Sequence, residues 1–529
     1  MQERLFYNGN IYNLQTKKVF DWLLIKNGFI VALGLKDQRP SLSYNRSGID
    51  LHGLTVLPAF IDAHTHLTIA ALEHRRVQFK NCLSLEQALQ RLHEYAPTVK
   101  EDAWVQGGGF NKNNWQDGVP HRTHLDQIFP QNPVALFSVD MHSLWVNTKA
   151  LKISGLFKNK QTIHSGRIER DEDGLPNGLL YEDAMKPVLD KIPPTNAKEA
   201  EEAIQDYSSY LFKLGITAVH TMEAYDDFHL LQRLKKQDRR LRTTVYLYHQ
   251  RLKEIIKDKQ YSYAGDEWLR LGGIKLFLDG SLGSRTAHLF GAYEDNSQNY
   301  GVEVLTIQEL DEILQEAAEN RLAPAVHAIG DRAVHKVIKV FGTLKDTFTG
   351  YNLVPRIEHV QLIRQEDIPL LAQTGAVASV QPVHIAVDVK MAEKYWGSRS
   401  VNAYALKALV KAGVTLAAGS DAPVADPDPL KGIFSAVQRR YAFDTTEPVW
   451  QPQSRLNIWQ AIRSYTEGSA RAAGEGHRRG RLEAGYQADF IALSPDPFKI
   501  NSENLLETEV IMTVQDGKIV YGMESKHLY

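Results

Sequence analysis

The sequence predicts an α/β fold, a (β/α)8 barrel of the TIM type with a small β-sandwich domain built from both chain termini. Three observations predict it. Short apolar, β-rich runs alternate with segments of helical spacing through the middle of the chain, and several of these runs end in histidine, lysine or aspartate. Both ends of the chain carry short runs separated by Asn-Gly or Asp-Gly turns. In a barrel of parallel strands, functional side chains gather at the carboxyl ends of the strands.

Eight runs have the length and composition of barrel strands, the number that closes a barrel of this kind. They are 57–61, 217–220, 243–248, 274–278, 324–327, 356–359, 377–380 and 415–418. Helical apolar spacing over 310–320 and 401–412 provides two of the intervening helices. We therefore assign residues 57–476 to the barrel. Residues 84–200 break the alternation, and we expect them to form an insertion that caps the active site.

The two chain ends predict a second, discontinuous domain over residues 1–56 and 477–529. Asn-Gly between short apolar runs, as at Asn8 and Asn27, is a strong hairpin signal. The last fifty or so residues have similar runs around an Asp516-Gly turn. Neither end has many strands, so pairing them would bury apolar faces that each would otherwise expose.

Bulk composition is typical of a soluble cytoplasmic enzyme. The chain has 529 residues, a hydrophobic fraction of 43% and a net charge of -2, which gives no electrostatic reason to expect nucleic acid or a membrane as partner. Cys82 is the single cysteine, so an intramolecular disulfide framework is excluded. The start has no signal-peptide core, and no apolar run is long enough to span a bilayer. We expect a small-molecule substrate and, as the common default, a homodimer.

His64 and His66 end the first predicted barrel strand and form half of a candidate metal site. Alternate side chains of a strand point to the same face, so the two imidazoles project together. Four further side chains of ligand type end later runs, and they are Lys275, His327, His359 and Asp421. Histidine nitrogen and carboxylate oxygen suit zinc and similar divalent ions, including manganese, iron and cobalt.

Longer strings around these positions carry a resemblance to a known family. They are Asp140-Met-His142-Ser-Leu-Trp-Val-Asn147, Asp279-Gly-Ser-Leu-Gly-Ser-Arg285-Thr, His327-Ala-Ile-Gly-Asp331-Arg332 and Gly419-Ser-Asp421-Ala-Pro. In this order they resemble the metal-dependent amidohydrolase superfamily over nearly the whole chain. The closest likeness is to its amidohydrolase 3 branch, which includes N-substituted formamide deformylase-like proteins. The resemblance implies the barrel and the joining of the termini in a β-sandwich.

The resemblance also implies the chemistry of the site. Related members carry a carboxylated lysine at the position of Lys275, whose two carbamate oxygens bridge two cations. If Lys275 is unmodified, a single ion is expected, and an ion pair with Asp279 is the alternative. A bound cation, with zinc as the first expectation, lowers the pKa of water to near 7 and generates hydroxide. Asp421 would then move the proton to the leaving nitrogen as a carbon–nitrogen bond of an amide, such as an N-formyl or N-acyl amine, is hydrolysed.

Four residues outside the metal set are candidate substrate contacts. Arg285 follows a glycine-containing turn and would face a substrate carboxylate or carbonyl, and a surface ion pair is the alternative. Asp140 and His142 share a face on an extended segment and could instead be structural hydrogen bonders. Trp115 would line an apolar pocket or pack in a core. We also expect Arg332 to pair with a carboxylate such as Glu358.

Two other functions stay open. A metal-dependent deaminase of a cyclic amidine or nucleobase-like ring uses the same scaffold, but many such enzymes place a glutamate where this chain has Gly330. A non-catalytic descendant that binds a ligand would not need all six metal-site side chains. Hydrolysis of a carbon–nitrogen bond is therefore the favoured prediction.

Overall fold

The computed structural model describes residues 3–41, 46–79, 82–110, 115, 118–138, 143–158, 166–193, 196–234 and 241–522. The chain forms two compact units, one of residues 1–70 with 205–529 and one of residues 71–204. Strands and helices are numbered below in chain order. No helix among the described residues is both long and apolar enough to cross a bilayer.

Eight parallel strands of the first unit form a nearly closed barrel. In hydrogen-bonding order they are β6 (Phe60–Thr65), β13 (Ile216–Glu223), β14 (Arg242–Tyr248), β15 (Leu269–Phe277), β16 (Ala323–Ala328), β17 (Arg356–His359), β18 (Val377–Val380) and β19 (Leu416–Ala418). An isolated parallel bridge between Thr65 and Ala422 links the first strand to the segment after the last. The predicted barrel is confirmed, including its number of strands.

The first barrel strand was placed wrongly, and β15 begins at Leu269, five residues before the predicted start at 274. The run predicted as the first barrel strand, 57–61, is divided between two sheets. Thr55–Pro58 forms β5, which pairs with the C-terminal strands, whereas the barrel strand β6 begins at Phe60. Pro58 pairs with Phe490 and Ala59 donates its N–H to the carbonyl of Asp489, so the chain leaves one sheet and enters the next within two residues. Pro58 is the one turn-type residue at this passage, and the apolar run continues through it.

Helices lie between consecutive barrel strands along the chain, and three more of the described helices follow the last strand. They are α1 (Leu67–Arg75), α6 (Ala197–Lys213), α7 (Tyr225–Leu234), α8 (Leu252–Lys257), α9 (Ile307–Glu319), α10 (Asp331–Thr343), α11 (Lys345–Gly350), α12 (Asp367–Thr374), α13 (Ile385–Trp396), α14 (Leu406–Lys411), α15 (Pro429–Gln438), α16 (Ile458–Arg463) and α17 (Ser469–Ala472). The helix predicted over 310–320 starts three residues earlier, at Ile307, because Thr306 and Glu309 form a capping box there. The segment predicted as one helix over 401–412 is a 3₁₀ turn (Gly397–Asn402) followed by α14.

Asp62 on β6 links the first barrel strand to the segment that follows β19. Asp62 Oδ1 accepts the backbone N–H groups of His64 and Ser420, each at 3.0 Å, and Oδ2 accepts the Ser420 hydroxyl at 2.5 Å. Gly419 lies so close to His64 that a Cβ atom on Gly419 would be 2.4 Å from the backbone nitrogen of His64. The Gly419-Ser-Asp421 string therefore brings Asp421 beside His64 through backbone proximity.

Both chain ends join in one sheet of eight strands. The N-terminal strands are β1 (Glu3–Tyr12), β2 (Val19–Lys26), β3 (Phe29–Gly34), β4 (Arg46–Asp50) and β5, and the C-terminal strands are β20 (Phe490–Ser494), β21 (Glu509–Gln515) and β22 (Lys518–Gly522). The two groups meet where β5 pairs antiparallel with β20. Phe6 and Phe490 pack edge to face in the core that both groups bury. The division of this sheet into the two layers of a sandwich stays a prediction, as do the proposed domain boundaries.

The second unit contains a six-stranded mixed sheet with a core on each face. Its strands are β7 (Val77–Gln78), β8 (Val105–Phe110), β9 (Val134–Ser138), β10 (Ser143–Val146), β11 (Gly166–Arg170) and β12 (Pro176–Glu182), and its helices are α2 (Leu85–Tyr95), α3 (Arg122–Ile128), α4 (Thr148–Ile153) and α5 (Lys186–Leu189). Successive residues of a strand pack in opposite cores. Trp145 lies in one core and its neighbour Leu144 in the other. That this segment caps the active site stays a prediction.

Candidate metal centre

His64 and His66 lie at the carboxyl end of β6 with their Nε2 atoms facing one carboxylate. His64 Nδ1–H donates to Glu358 Oε2 at 2.5 Å, and His66 Nδ1–H donates to the carbonyl of Met222 at 3.2 Å. Their Nε2 atoms lie 3.4 and 3.2 Å from Asp421 Oδ1. A histidine ligand typically donates its other ring N–H to such an acceptor, which fixes the tautomer and aims the free nitrogen at the ion.

Asp421 follows β19 in a left-handed backbone conformation, with φ 62°, and donates its N–H to the His64 carbonyl at 2.7 Å. One ligand atom from each of His64, His66 and Asp421 lies within 4.8 Å of the others, a spacing that could hold a metal ion. Burial acts to raise the pKa of Asp421, but the imidazoles around it, led by His64, outweigh burial and hold the pKa well below its usual range. Asp421 is therefore an anion beside two imidazoles.

His327 and His359 extend this cluster to four imidazoles. The ring of His359 lies 4.4 Å from that of His327 and 4.9 Å from that of His64, measured between centroids. His359 Nδ1–H donates to Gln381 Oε1 at 2.7 Å, which leaves Nε2 free, whereas His327 Nε2–H donates to the carbonyl of Gly280 at 3.0 Å, which leaves Nδ1 free. Burial lowers the pKa of both rings far below 6.5, so both are neutral donors.

Lys275 is a buried amine with no hydrogen-bond partner among the described residues. Its side chain is on β15, 1% exposed, and its charge acts on both His64 and His327. Burial lowers the pKa of Lys275 to about 8, although the Glu358 and Asp421 carboxylates partly offset it. The ion pair with Asp279 considered above is not formed. Asp279 instead accepts backbone N–H groups from His288, Ile329 and Gly330.

Two polar residues behind the imidazoles, Glu358 and Arg356, were not assigned to the site from the sequence. Arg356 is fully buried and donates to Glu358, to the carbonyl of Ala63 at 2.5 Å and to the Ser379 hydroxyl at 2.7 Å. The expected pairing of Arg332 with Glu358 was wrong, because the partner of Glu358 is two residues away on the same face of β17. Two polar residues at i and i+2 in a buried strand are the signal that could have identified this pair.

The predicted substrate contacts lie in different settings. Arg285 forms an ion pair with Asp295 at 2.7 Å and is about half exposed, which matches the surface alternative. Trp115 is buried in one core of the second unit, beside Phe110 and Trp145, and donates to the carbonyl of Cys82. Asp140 and His142 lie outside the described residues. A substrate role for any of the four stays a prediction.

The barrel and this cluster define a class, the metal-dependent hydrolases that use strand-end histidines and carboxylates. The chain belongs to the amidohydrolase family, whose model matches residues 47–521. It is accordingly a hydrolase of the class that acts on carbon–nitrogen bonds other than peptide bonds.

Relatives of known name align with nearly the whole chain. "Protein LONG AFTER FAR-RED 3" of Arabidopsis thaliana is 31% identical, covering 98% of this chain and 91% of its own. "Putative amidohydrolase YtcJ" of Bacillus subtilis is 30% identical, with 98% and 99% covered, and "N-substituted formamide deformylase" of Arthrobacter pascens is 23% identical, with 98% of both covered. An uncharacterized metal-dependent hydrolase from Pyrococcus furiosus, known from its crystal structure, is 28% identical with a TM-score of 0.76, and 94% of this chain and all of that one are covered.

Proposed function

We propose that this protein hydrolyses the amide bond of an N-formyl or N-acyl amine at a centre of one or two divalent cations. The observation that carries the proposal is the convergence of His64, His66, Asp421 and the two further imidazoles, together with a buried amine that has no hydrogen-bond partner in the described part of the chain. The similarity to an enzyme named N-substituted formamide deformylase supports this choice of substrate class.

The donor set fits a divalent cation. His64, His66 and Asp421 would hold one ion, and His327 and His359 would hold a second together with Lys275. A neutral amine is the form of lysine that attacks carbon dioxide. The new N–C bond forms as the amine nitrogen releases a proton to solvent, and the carbamate product supplies two oxygens that share one negative charge in place of a neutral amine. Burial of Lys275, which favours its neutral form, supports that modification. Nitrogen and oxygen ligands of this kind suit zinc first, and also manganese, iron or cobalt.

The protein's own groups have separate tasks in this proposal. When bound, a divalent cation lowers the pKa of water and polarises a carbonyl oxygen. Asp421 Oδ1 faces the two imidazoles of β6, which leaves Oδ2 to accept a proton from water and return it to the leaving nitrogen. Glu358 holds the ring of His64 through Nδ1, and Gln381 holds that of His359 in the same way. Both contacts keep the free ring nitrogens in place during turnover.

The structure gives the deaminase alternative no support at position 330. A Cβ atom on Gly330 would lie 2.1 Å from the carbonyl oxygen of His288, and the Gly330 N–H already donates to Asp279. No side chain fits there without moving the backbone, so a glutamate cannot replace Gly330 as a proton donor to a ring.

The test combines metal analysis with identification of the product. Purified protein is assayed for bound metal and incubated with a panel of N-formyl and N-acetyl amines and with aminated heterocycles. We expect one or two equivalents of metal and release of the free amine with formate or acetate. Ammonia release from the heterocycles alone would favour deamination. Protein that holds no metal and turns over neither class would contradict the proposal.

A further inference from the structure

Beside the metal centre lie two buried side chains, each with a polar atom that has no hydrogen-bond partner among the described residues. They are Gln361, 4% exposed, through Oε1, and His384, 7% exposed, through Nε2. Leaving a buried polar atom unpaired is unfavourable, so such atoms usually have a ligand or an ordered water as their partner. Neither atom takes part in the contacts that hold the imidazoles of the centre.

Both residues come from the strand ends that flank the proposed ligands. Gln361 follows His359 by two residues, and the chain turns between them with φ 76° at His359 and 46° at Val360. A β-branched residue at such a φ is strained, and strain of this kind concentrates at functional sites. His384 ends the 3₁₀ turn Pro382–His384 after β18, and it lies close enough to Asp421 for the two groups to interact electrostatically. The pair therefore lies on the side of the centre formed by β17 and β18.

The contact between the two side chains determines what they can offer a ligand. Gln361 Nε2 lies 3.4 Å from His384 Nδ1. If the amide N–H points at Nδ1, the unpaired atoms are an acceptor on Gln361 and an N–H donor on His384. If the amide is turned and Nδ1 carries the proton, the unpaired atoms are a donor on Gln361 and an acceptor on His384. In both arrangements the pair presents one donor and one acceptor.

We propose that Gln361 and His384 form a substrate subsite for a neutral carboxamide-like group that lies next to the scissile bond. A carboxamide carries one carbonyl acceptor and N–H donors on one planar group, which complements the unpaired atoms of either arrangement. The subsite deepens the proposed hydrolase function and rests on it. It selects substrates whose amine portion carries a second polar group, because an apolar group would leave both buried atoms unpaired.

The test uses two substrates of matched shape. N-formylglycinamide carries a carboxamide where N-formylisobutylamine carries an isopropyl group, so the pair differs in hydrogen bonding and hardly in size. Two variants separate the atoms of the ring. His384→Gln keeps a polar atom near the position of Nε2, whereas His384→Asn keeps one near Nδ1 and removes Nε2. Gln361→Met removes the polar atoms of the other member at similar length.

We expect the metal-loaded wild type to prefer N-formylglycinamide in kcat/KM by about tenfold or more. His384→Asn and Gln361→Met should lose this preference, mainly through KM for the carboxamide, while His384→Gln retains part of it. All variants should keep the metal content of the wild type. Equal effects on both substrates in every variant would show a structural role and overturn the subsite.

A binding measurement separates failure of the subsite from failure of the proposed reaction. Titration calorimetry with N-formylglycinamide reports binding whether or not the compound is cleaved. Binding that depends on His384 without cleavage supports the subsite and counts against the proposed reaction. Cleavage with no preference between the two compounds overturns the subsite alone. Neither binding nor cleavage of either compound overturns both.

Discussion

The Nδ1 atom of His64 lies 2.5 Å from Oε2 of Glu358, and both side chains are buried inside the barrel. Arg356, also fully buried, binds the same carboxylate. Glu358 is thus held by a cation on one side and holds a candidate metal ligand on the other. Burial acts to raise the pKa of Glu358, but Arg356 and His64 outweigh it and keep the pKa well below its usual range. The residue is therefore an anion at neutral pH.

Replacing Glu358 by glutamine should weaken both metal binding and the fold. The variant removes the charge that orients His64, for which we expect about a 10- to 100-fold loss of metal affinity. It also leaves Arg356 buried without its carboxylate, a change that costs about 3–5 kcal/mol when one partner of a buried ion pair is removed. Metal titration and urea unfolding of the metal-free protein measure the two effects separately.

Ser379→Ala is the matched control for that variant. The Ser379 hydroxyl accepts a hydrogen bond from Arg356 at 2.7 Å. It forms no hydrogen bond with His64. We expect a smaller loss of stability and unchanged metal affinity. Equal loss of metal affinity in both variants would show that Glu358 acts only by stabilising the barrel.

Lys275→Met should make metal-free protein more stable at neutral pH while it reduces the bound metal. The amine has no partner among the described residues, so its removal sacrifices no hydrogen bond. In the folded protein the pKa of Lys275 is about 8, against 10.5 in the unfolded chain. Between these values the unfolded chain binds a proton that the folded chain does not, so the contribution of Lys275 to stability rises with pH.

The measurement is urea unfolding of both proteins in buffer depleted of metal and carbon dioxide. Relative to Lys275→Met, the free energy of unfolding of the wild type should rise by on the order of 3 kcal/mol as the pH rises from below 8 to above 10.5. With metal present, added bicarbonate should raise metal occupancy in the wild type and have no effect in the variant. A pH-independent difference would contradict the burial of a neutral amine.

The barrel was predictable because a short apolar run that ends in a ligand-type side chain is a local signal. His64, His327, His359 and Asp421 each end such a run, and the structure brings them together as parallel strands require. Their roles as ligands stay predictions, but their proximity followed from strand order alone.

Other parts of the site were missed for two reasons. The Arg356–Glu358 pair had a local signal, the i and i+2 spacing on β17, and Arg332 was the wrong choice of partner. The remaining contacts join separate strands and had no local signal. Gln381 supports His359, and His384 has no ligand-like spacing in the sequence. Trp115 illustrates the same limit, because an aromatic residue in a core and one in a pocket have the same sequence pattern.

Asp421→Asn should abolish turnover while the fold is retained. The amide keeps the shape of the side chain but cannot take a proton from water, and loss of such a proton transfer costs about 10²–10⁴ in rate. Asp295→Asn is the matched control, since Asp295 lies in the ion pair with Arg285. We expect its kcat to stay near that of the wild type. The readouts are kcat, circular dichroism and metal content, and near-normal kcat in Asp421→Asn would contradict the assigned role.

Gly330→Ala and Gly342→Ala should change stability in opposite directions. A Cβ atom on Gly330 would lie 2.1 Å from the His288 carbonyl oxygen, so the loop that follows β16 must shift and carry His327 with it. Gly342 lies inside α10 with open space around it. Alanine in a helix raises the free energy of unfolding by about 0.5–1 kcal/mol relative to glycine. Thermal unfolding should therefore give a lower Tm for the first variant and a higher Tm for the second, and only the first should lose bound metal. If Gly330→Ala unfolded at the wild-type temperature and kept its metal, the close packing that excludes a side chain at this position would be refuted, and a glutamate at this position of a ring deaminase would no longer be excluded sterically.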